Sequence, residues 1–246
     1  MEIKDGVKQI QGEIRSFLLI GQSNMAGRGE FADVAPIENK QCYMLRMGRW
    51  QKMSEPINVD RYIFNGKYHS GVGLGASFAD CVANTFNWRV GLIPCADGGT
   101  NISQWAEGEL LYDHAVQMTK LACRTSRLSG ILWHQGESDC GSDERVAAYR
   151  ERFIKMITAL RRDLGAEELP LLIGELSEQI DESWMVGDGP KRMNAIFHEI
   201  AEALPHTAVV PSAGLTLKLD GLHFDAVAQR EFGKRYFEAF ATLKGE

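Results

Sequence analysis

The chain of 246 residues has no excess of positive charge, no apolar run of membrane-spanning length and no paired cysteine motif. Each absence removes a class of function. With 27 lysines and arginines against 33 acidic residues, the formal charge is −6, which leaves no electrostatic grip on nucleic-acid phosphates or anionic membranes. A spanning helix needs roughly 18–20 consecutive apolar residues, and no window reaches that length. The opening MEIKDGVKQIQGEIRS lacks the apolar core of a signal peptide, so the expected location is cytoplasmic. Cys42, Cys81, Cys95, Cys123 and Cys140 are an odd number without a CxxC pair, which argues against a disulfide framework or a zinc ribbon.

What is present is the composition of an ordinary folded chain, 44% hydrophobic and 24% charged, with no internal repeat and no linker, so a single domain over residues 1–246 is expected. Short apolar runs alternate with stretches of helical period. Residues 16–20 (SFLLI), 88–95, 130–135, 169–175 and 207–211 predict five buried strands. Between them, Leu74, Phe78, Val82 and Phe86 recur every four residues, and further helices are predicted over 109–127, 142–164, 190–204 and 225–243. Gly165 stops the helix over 142–164, Pro190 suits a first turn, and Asp225 suits an N-cap, with Val227, Phe232, Tyr236 and Phe240 expected to face inward. Strand and helix in alternation imply parallel neighbours joined by helical crossovers: an α/β protein, a three-layer α/β/α sandwich on a mainly parallel five-stranded sheet. Residues 31–70 mix aromatic, charged and glycine residues without a period, and are expected to form loops with a small hairpin.

Ligands of an open parallel sheet bind beyond the carboxyl ends of its strands, and four polar clusters fall there. They are Gly21-Gln22-Ser23-Asn24, Asp97-Gly98-Gly99-Thr100, His134-Gln135-Gly136-Glu137 and Asp220-Gly221-Leu222-His223. A serine needs a neighbouring base, a group that orients the base, and donors for a developing oxyanion. Ser23, just after a buried strand, is the candidate nucleophile, though a serine here can equally cap the next helix. His223 is the candidate base and Asp220 its orienting acid, against the alternative of a turn that begins a helix. Gly98-Gly99 can bring backbone N–H groups close to a ligand or form a simple turn, and Gln135 can aim an amide at the crevice or satisfy loop backbone.

In order, IGQSNMAGRGE, PCADGGTNISQW, LWHQGESD and DGLHF resemble the sialate O-acetylesterase-like and carbohydrate esterase family 6 branch of the SGNH hydrolases, over residues 18–225. The resemblance implies a flavodoxin-like fold, a serine esterase mechanism and carbohydrate acetyl esters as substrates, such as acetylated xylan fragments or O-acetyl sialic acids. It places the nucleophile on Ser23, the base on His223, and the oxyanion donors on the N–H groups of Ser23 and Gly98 and the side chain of Gln135. Asp220 is the favoured partner of His223, with Glu137 as a second. Gln22, Asn24, Gly99, Thr100 and Trp105 are candidate substrate contacts, and Trp105, Trp50 and Tyr62 are the aromatic rings available for stacking on a sugar, or for ordinary packing.

Trp133 reads as core, His134 as an interior histidine or a partner of Gln135, and Arg28 as a surface ion pair or a substrate contact. His69, His114, His198 and His206 show no ligand spacing, so neither metal nor cofactor is expected. The partner is a small-molecule or oligosaccharide substrate. Acetyl transfer to another sugar hydroxyl, or a carbohydrate-binding module on a hydrolase scaffold, are the competing readings, since fold alone decides neither.

Overall fold

A computed structural model describes residues 13–59 and 70–245, with the backbone of residues 3–4 and 7–8. The two short strands β1 (Ile3–Lys4) and β2 (Val7–Lys8) form an antiparallel pair of their own. The run SFLLI lies inside a longer central strand, β3 (Ile14–Gly21). Its alternate residues serve two cores: Phe17 and Leu19 pack on one face of the sheet, Leu18 and Ile20 on the other. Burial on both faces is what selects a continuous apolar run over an alternating one.

Strands β6 (Arg89–Pro94), β7 (Ser126–His134), β8 (Leu171–Gly174) and β9 (Thr207–Val210) are the other four expected. The sheet nevertheless has seven strands, in the order β5-β4-β6-β3-β7-β8-β9. The additional pair, β4 (Cys42–Arg46) and β5 (Arg49–Lys52), is the hairpin of the irregular segment, extending the sheet at its edge. Among the described residues, its antiparallel partner β5 is the only departure from parallel pairing in this sheet. Half-exposed β5, reading RWQK, carries none of the apolar continuity that marked the inner strands. Met47 and Gly48 turn the hairpin, both with positive φ.

Helices α2 (Leu74–Phe86) and α6 (Ala226–Lys244) cover one face of the sheet. Helices α3 (Leu110–Ala122), α4 (Asp143–Leu164) and α5 (Gly189–Ala203) cover the other. The caps follow the residues: Ser142 accepts the N–H of Arg145, Asp225 accepts that of Ala228, and Gly165 ends α4 in the left-handed conformation. Helix α3 stops five residues before the expected end because β7 claims Ser126 and Arg127. Val227 faces solvent at 61% exposed, contrary to expectation, because the inward stripe of α6 is Ala228, Phe232, Tyr236 and Phe240. Helices α2 and α6 approach so closely that a Cβ on Gly233 would sit 2.1 Å from Ser77 Oγ and 2.2 Å from the Leu74 carbonyl. Among the described residues no helix is long and apolar enough to cross a membrane.

Residues of the 31–55 stretch, with Val72 and Arg230 of α6, enclose a cavity of about 590 Å³. Phe31, Ile37 and Met53 line it, and Arg230 forks onto the Glu55 carboxylate beside it. None of the proposed site residues borders this space.

Candidate active site

Strand β3 ends at Gly21, whose φ is +135° and where a Cβ would lie 2.0 Å from the His134 carbonyl oxygen, so the crossing admits only glycine. Gln22 N–H donates to that same carbonyl at 2.9 Å, and the chain then makes the single turn α1 (Ser23–Ala26). Ser23 is thereby the first residue of a turn set at the end of the central strand. Its N–H donates to no described acceptor, as expected for a first helical position.

Three side chains then meet in line. Ser23 Oγ lies 2.9 Å from His223 Nε2, and His223 Nδ1 lies 2.8 Å from Asp220 Oδ2. The other oxygen of Asp220 accepts the N–H groups of Leu222 and His223, each at 2.9 Å. Partial burial pushes the Asp220 carboxyl up, but these backbone bonds and the imidazole outweigh it and hold the group below its ordinary value. Asp220 is therefore an ionised acceptor that fixes which ring nitrogen of His223 carries hydrogen and which faces the serine. On the far side, a Cβ on Gly98 would stand 3.6 Å from Ser23 Cβ, so the Asp97-Gly98 backbone closes on Ser23. The same Cβ would meet Arg28 Nη2 at 2.6 Å, which puts this guanidinium beside the site rather than in a remote surface pair.

Glu137 goes elsewhere than expected. Its Oε1 accepts Asn24 Nδ2 at 2.7 Å and lies 3.1 Å from His134 Nε2, with no described bond to His223. Burial pushes this carboxyl up; the charge of His134 and the bonds from His134 and Asn24 outweigh that and bring it below its ordinary value. Asn24, only 2% exposed, is likewise withdrawn from substrate: Nδ2 also reaches the Leu222 carbonyl and Oδ1 accepts the Phe224 N–H at 3.1 Å. Asn24 thus clamps both chain neighbours of His223, and Glu137 holds Asn24.

Gln135 is a second correction. Its amide is fully buried, with Nε2 shared among Asp139 Oδ2 at 2.7 Å, the Thr100 carbonyl at 3.0 Å and Gln22 Oε1 at 3.2 Å. Two amide hydrogens facing three acceptors leave none for an oxyanion. Gln22 Oε1 also takes the Ser138 N–H at 3.3 Å, which fixes the orientation of the Gln22 amide and leaves its Nε2 without a described partner.

Thr100 and Trp105 are buried at 1% exposed and bond each other, indole Nε1 to Thr100 Oγ1 at 3.1 Å. Trp105 also packs edge-on against Trp133, so it presents no face to a sugar. Gly99 is exposed, and a Cβ there would touch nothing within 4 Å, so it stays on the open rim. Trp50 packs over Gly91 at the sheet edge, and Tyr62 and His69 lie outside the described residues. Burial raises the Cys95 thiol to about 12 and the Cys140 thiol further, so neither is a ready thiolate. Among the described residues no group of three or more histidine, cysteine, aspartate or glutamate side chains is arranged to hold a metal ion. The residue that sequence reasoning missed is Trp184: it is 49% exposed and its indole N–H meets the Asp220 carbonyl oxygen at 3.1 Å, an association across 36 positions that no local pattern announces.

The profile of a family described as carbohydrate esterase, sialic acid-specific acetylesterase, matches residues 13–242. A probable carbohydrate esterase of Arabidopsis thaliana is 34% identical over an alignment 248 positions long that covers 92% of this chain and 90% of that protein. The crystal structure of an Arabidopsis thaliana protein superposes with a TM-score of 0.82 at 28% identity, covering 94% of this chain and 99% of the other. The structure of NanS gives a TM-score of 0.77 at 17% identity over 95% and 98% of the two chains. A carbohydrate acetylesterase from Xanthomonas citri gives 0.70 at 20% identity over 94% of this chain and 57% of its own. The last two likenesses speak to the fold alone, and the first two with the family profile speak to descent. The chain belongs to the sialic acid-specific acetylesterase family of carbohydrate esterases.

Proposed function

We propose that the chain is a serine O-acetylesterase that removes acetyl groups from sugar hydroxyls through an acetyl-enzyme. The observation that carries this reading is the unbroken line from Ser23 Oγ through His223 to the Asp220 carboxylate. In the first step His223 Nε2 takes the Ser23 proton as Oγ attacks the acetyl carbonyl, and the tetrahedral oxyanion forms beside the N–H of Ser23. The N–H of Gly98 closes the opposite side, and Gln22 Nε2, turned by Gln135, is the third donor in place of Gln135 itself. Protonated His223 then gives its proton to the departing sugar oxygen. Water repeats the sequence on the acetyl-Ser23 ester, releasing acetate and regenerating the serine. Asp220 stays ionised throughout and stabilises the imidazolium.

Support for a sugar as the alcohol half comes from the family and from the acetylesterase names its relatives carry. The test is acetate release from 4-nitrophenyl acetate, acetylated xylo-oligosaccharides and O-acetyl sialic acid, by the wild type and Ser23→Ala, with a chelator present. Release by the wild type that falls at least about 10³-fold in Ser23→Ala supports the serine mechanism, and the fastest substrate names the sugar. Release that survives Ser23→Ala, or stops on adding chelator to the wild type, overturns it. Acetate that appears on an added acceptor sugar rather than in solution makes the enzyme a transferase.

A further inference from the structure

Of the five tryptophans, Trp105 and Trp133 are buried, Trp50 and Trp88 are partly covered, and Trp184 alone is exposed. It lies in the segment between β8 and α5, which is tied down on two sides. Asp181 N–H donates to the Gly221 carbonyl at 2.8 Å, and the Asp181 side chain accepts the Ser183 N–H at 2.9 Å. A Cβ on Gly221 would stand 2.7 Å from Asp181 Cβ, so this segment and the turn carrying Asp220 and His223 are in direct backbone contact. Beyond the indole, Val186 N–H donates to the Cys140 carbonyl at 2.9 Å, anchoring the segment to the chain just after Glu137 and Asp139.

The ring is thus held in place before any ligand arrives. Its single polar group is already bonded to the Asp220 carbonyl oxygen, so what it offers to solvent is an apolar aromatic face. Leu219, beside Asp220 in the chain, is fully exposed, and Val186, two residues after Trp184, is 43% exposed, so the same two segments carry further apolar side chains open to solvent. Exposed apolar side chains rimming a polar cleft mark a place where a ligand is covered. A sugar ring presents C–H groups on its faces and hydroxyls at its edge, and an oriented indole matches the former while leaving the latter in water.

We infer that Trp184 is the platform on which a pyranose ring of the substrate stacks, placing its acetylated hydroxyl at Ser23. This assigns the specificity for a sugar to a residue adjoining Asp220 rather than to Trp105, and it rests on the acetylesterase reading above. The platform binds the sugar part in ground and transition state alike, so its loss raises KM and spares kcat.

The test compares the wild type, Trp184→Ala and Trp184→Phe on the best sugar acetate of the panel and on ethyl acetate, which has no ring. Trp184→Ala should raise KM for the sugar acetate by about ten-fold with kcat within about two-fold, leave kcat/KM for ethyl acetate unchanged, and be largely rescued by Trp184→Phe. A parallel titration follows tryptophan fluorescence of Ser23→Ala with xylotriose and with N-acetylneuraminic acid; a sugar-induced change should vanish on adding Trp184→Phe. An unchanged KM, or an equal loss on sugar acetate and ethyl acetate, overturns the platform and leaves the acetylesterase reading standing. A Trp184-dependent fluorescence change from a protein that hydrolyses no sugar acetate supports the platform and overturns the esterase. No hydrolysis and no fluorescence change overturns both.

Discussion

Two carboxylates lie near the proposed nucleophile, and their partners give them different work. Asp220 touches the imidazole of His223, whereas Glu137 reaches it only through Asn24 and the backbone on either side of His223. Asp220→Asn should therefore lower kcat by about 10⁴-fold, the cost seen when a triad carboxylate becomes an amide and the ring takes the wrong tautomer. Glu137→Gln should cost clearly less; steady-state kinetics on 4-nitrophenyl acetate decide it, and the reverse ranking would reassign the acid. Glu137 has a second signature, in stability. Its carboxyl sits below its ordinary value in the folded chain, so the stabilisation it lends is complete above the unfolded carboxylate pKa, about 4.3, and is lost as pH falls through the lowered folded value. The gap in Tm between the wild type and Glu137→Gln should be widest near neutral pH and close on acidification below the ordinary carboxylate range. A gap that widens on acidification would mean the pair is held another way.

At the scale of elements, α2 and α6 cross at Gly233 so closely that an added methyl group has no room. Overpacking of this kind costs about 1–3 kcal/mol, so Gly233→Ala should lower Tm by about 3–10 °C without changing KM. An unshifted melting curve would show that the helices separate freely. The same scale explains what could be read from residues alone. The inner strands announced themselves because burial on both faces demands apolar continuity, and Gly165 and Asp225 marked helix ends because capping is a local bond. The hairpin within residues 31–70 was expected, but its place as two further strands of the main sheet was not, because an exposed strand such as β5 carries no apolar continuity. Ser23, Asp220 and His223 were legible because the polar clusters of a parallel sheet gather at its strand ends. Thr100, Trp105, Asn24 and Gln135 were misread for a single reason: whether a polar or aromatic side chain faces the crevice or props up its wall depends on neighbours far along the chain. Trp184 was missed for the converse of that reason.

For the molecule as a whole, the two apolar cores share one sheet, with Leu18 and Phe17 of the same strand facing opposite sides. Neither core exists without the strands that also floor the other. Heat should therefore unfold the chain in a single calorimetric transition, shifted as a unit by Gly233→Ala in one core or by Phe153→Ala in the other. Two separable transitions would divide the chain into domains.

Ser23 and His223, the proposed nucleophile and base, are 200 positions apart, and α6 begins three residues after His223. Closing so long a loop is slow relative to making local helix, so Ser23 and His223 meet late in folding. During synthesis Ser23 leaves the ribosome 200 residues ahead of His223, so the proposed site assembles only after the intervening chain has been made. In refolding from denaturant, ester turnover should return after the far-ultraviolet helical signal, and simultaneous recovery would place the pairing of the two ends early instead.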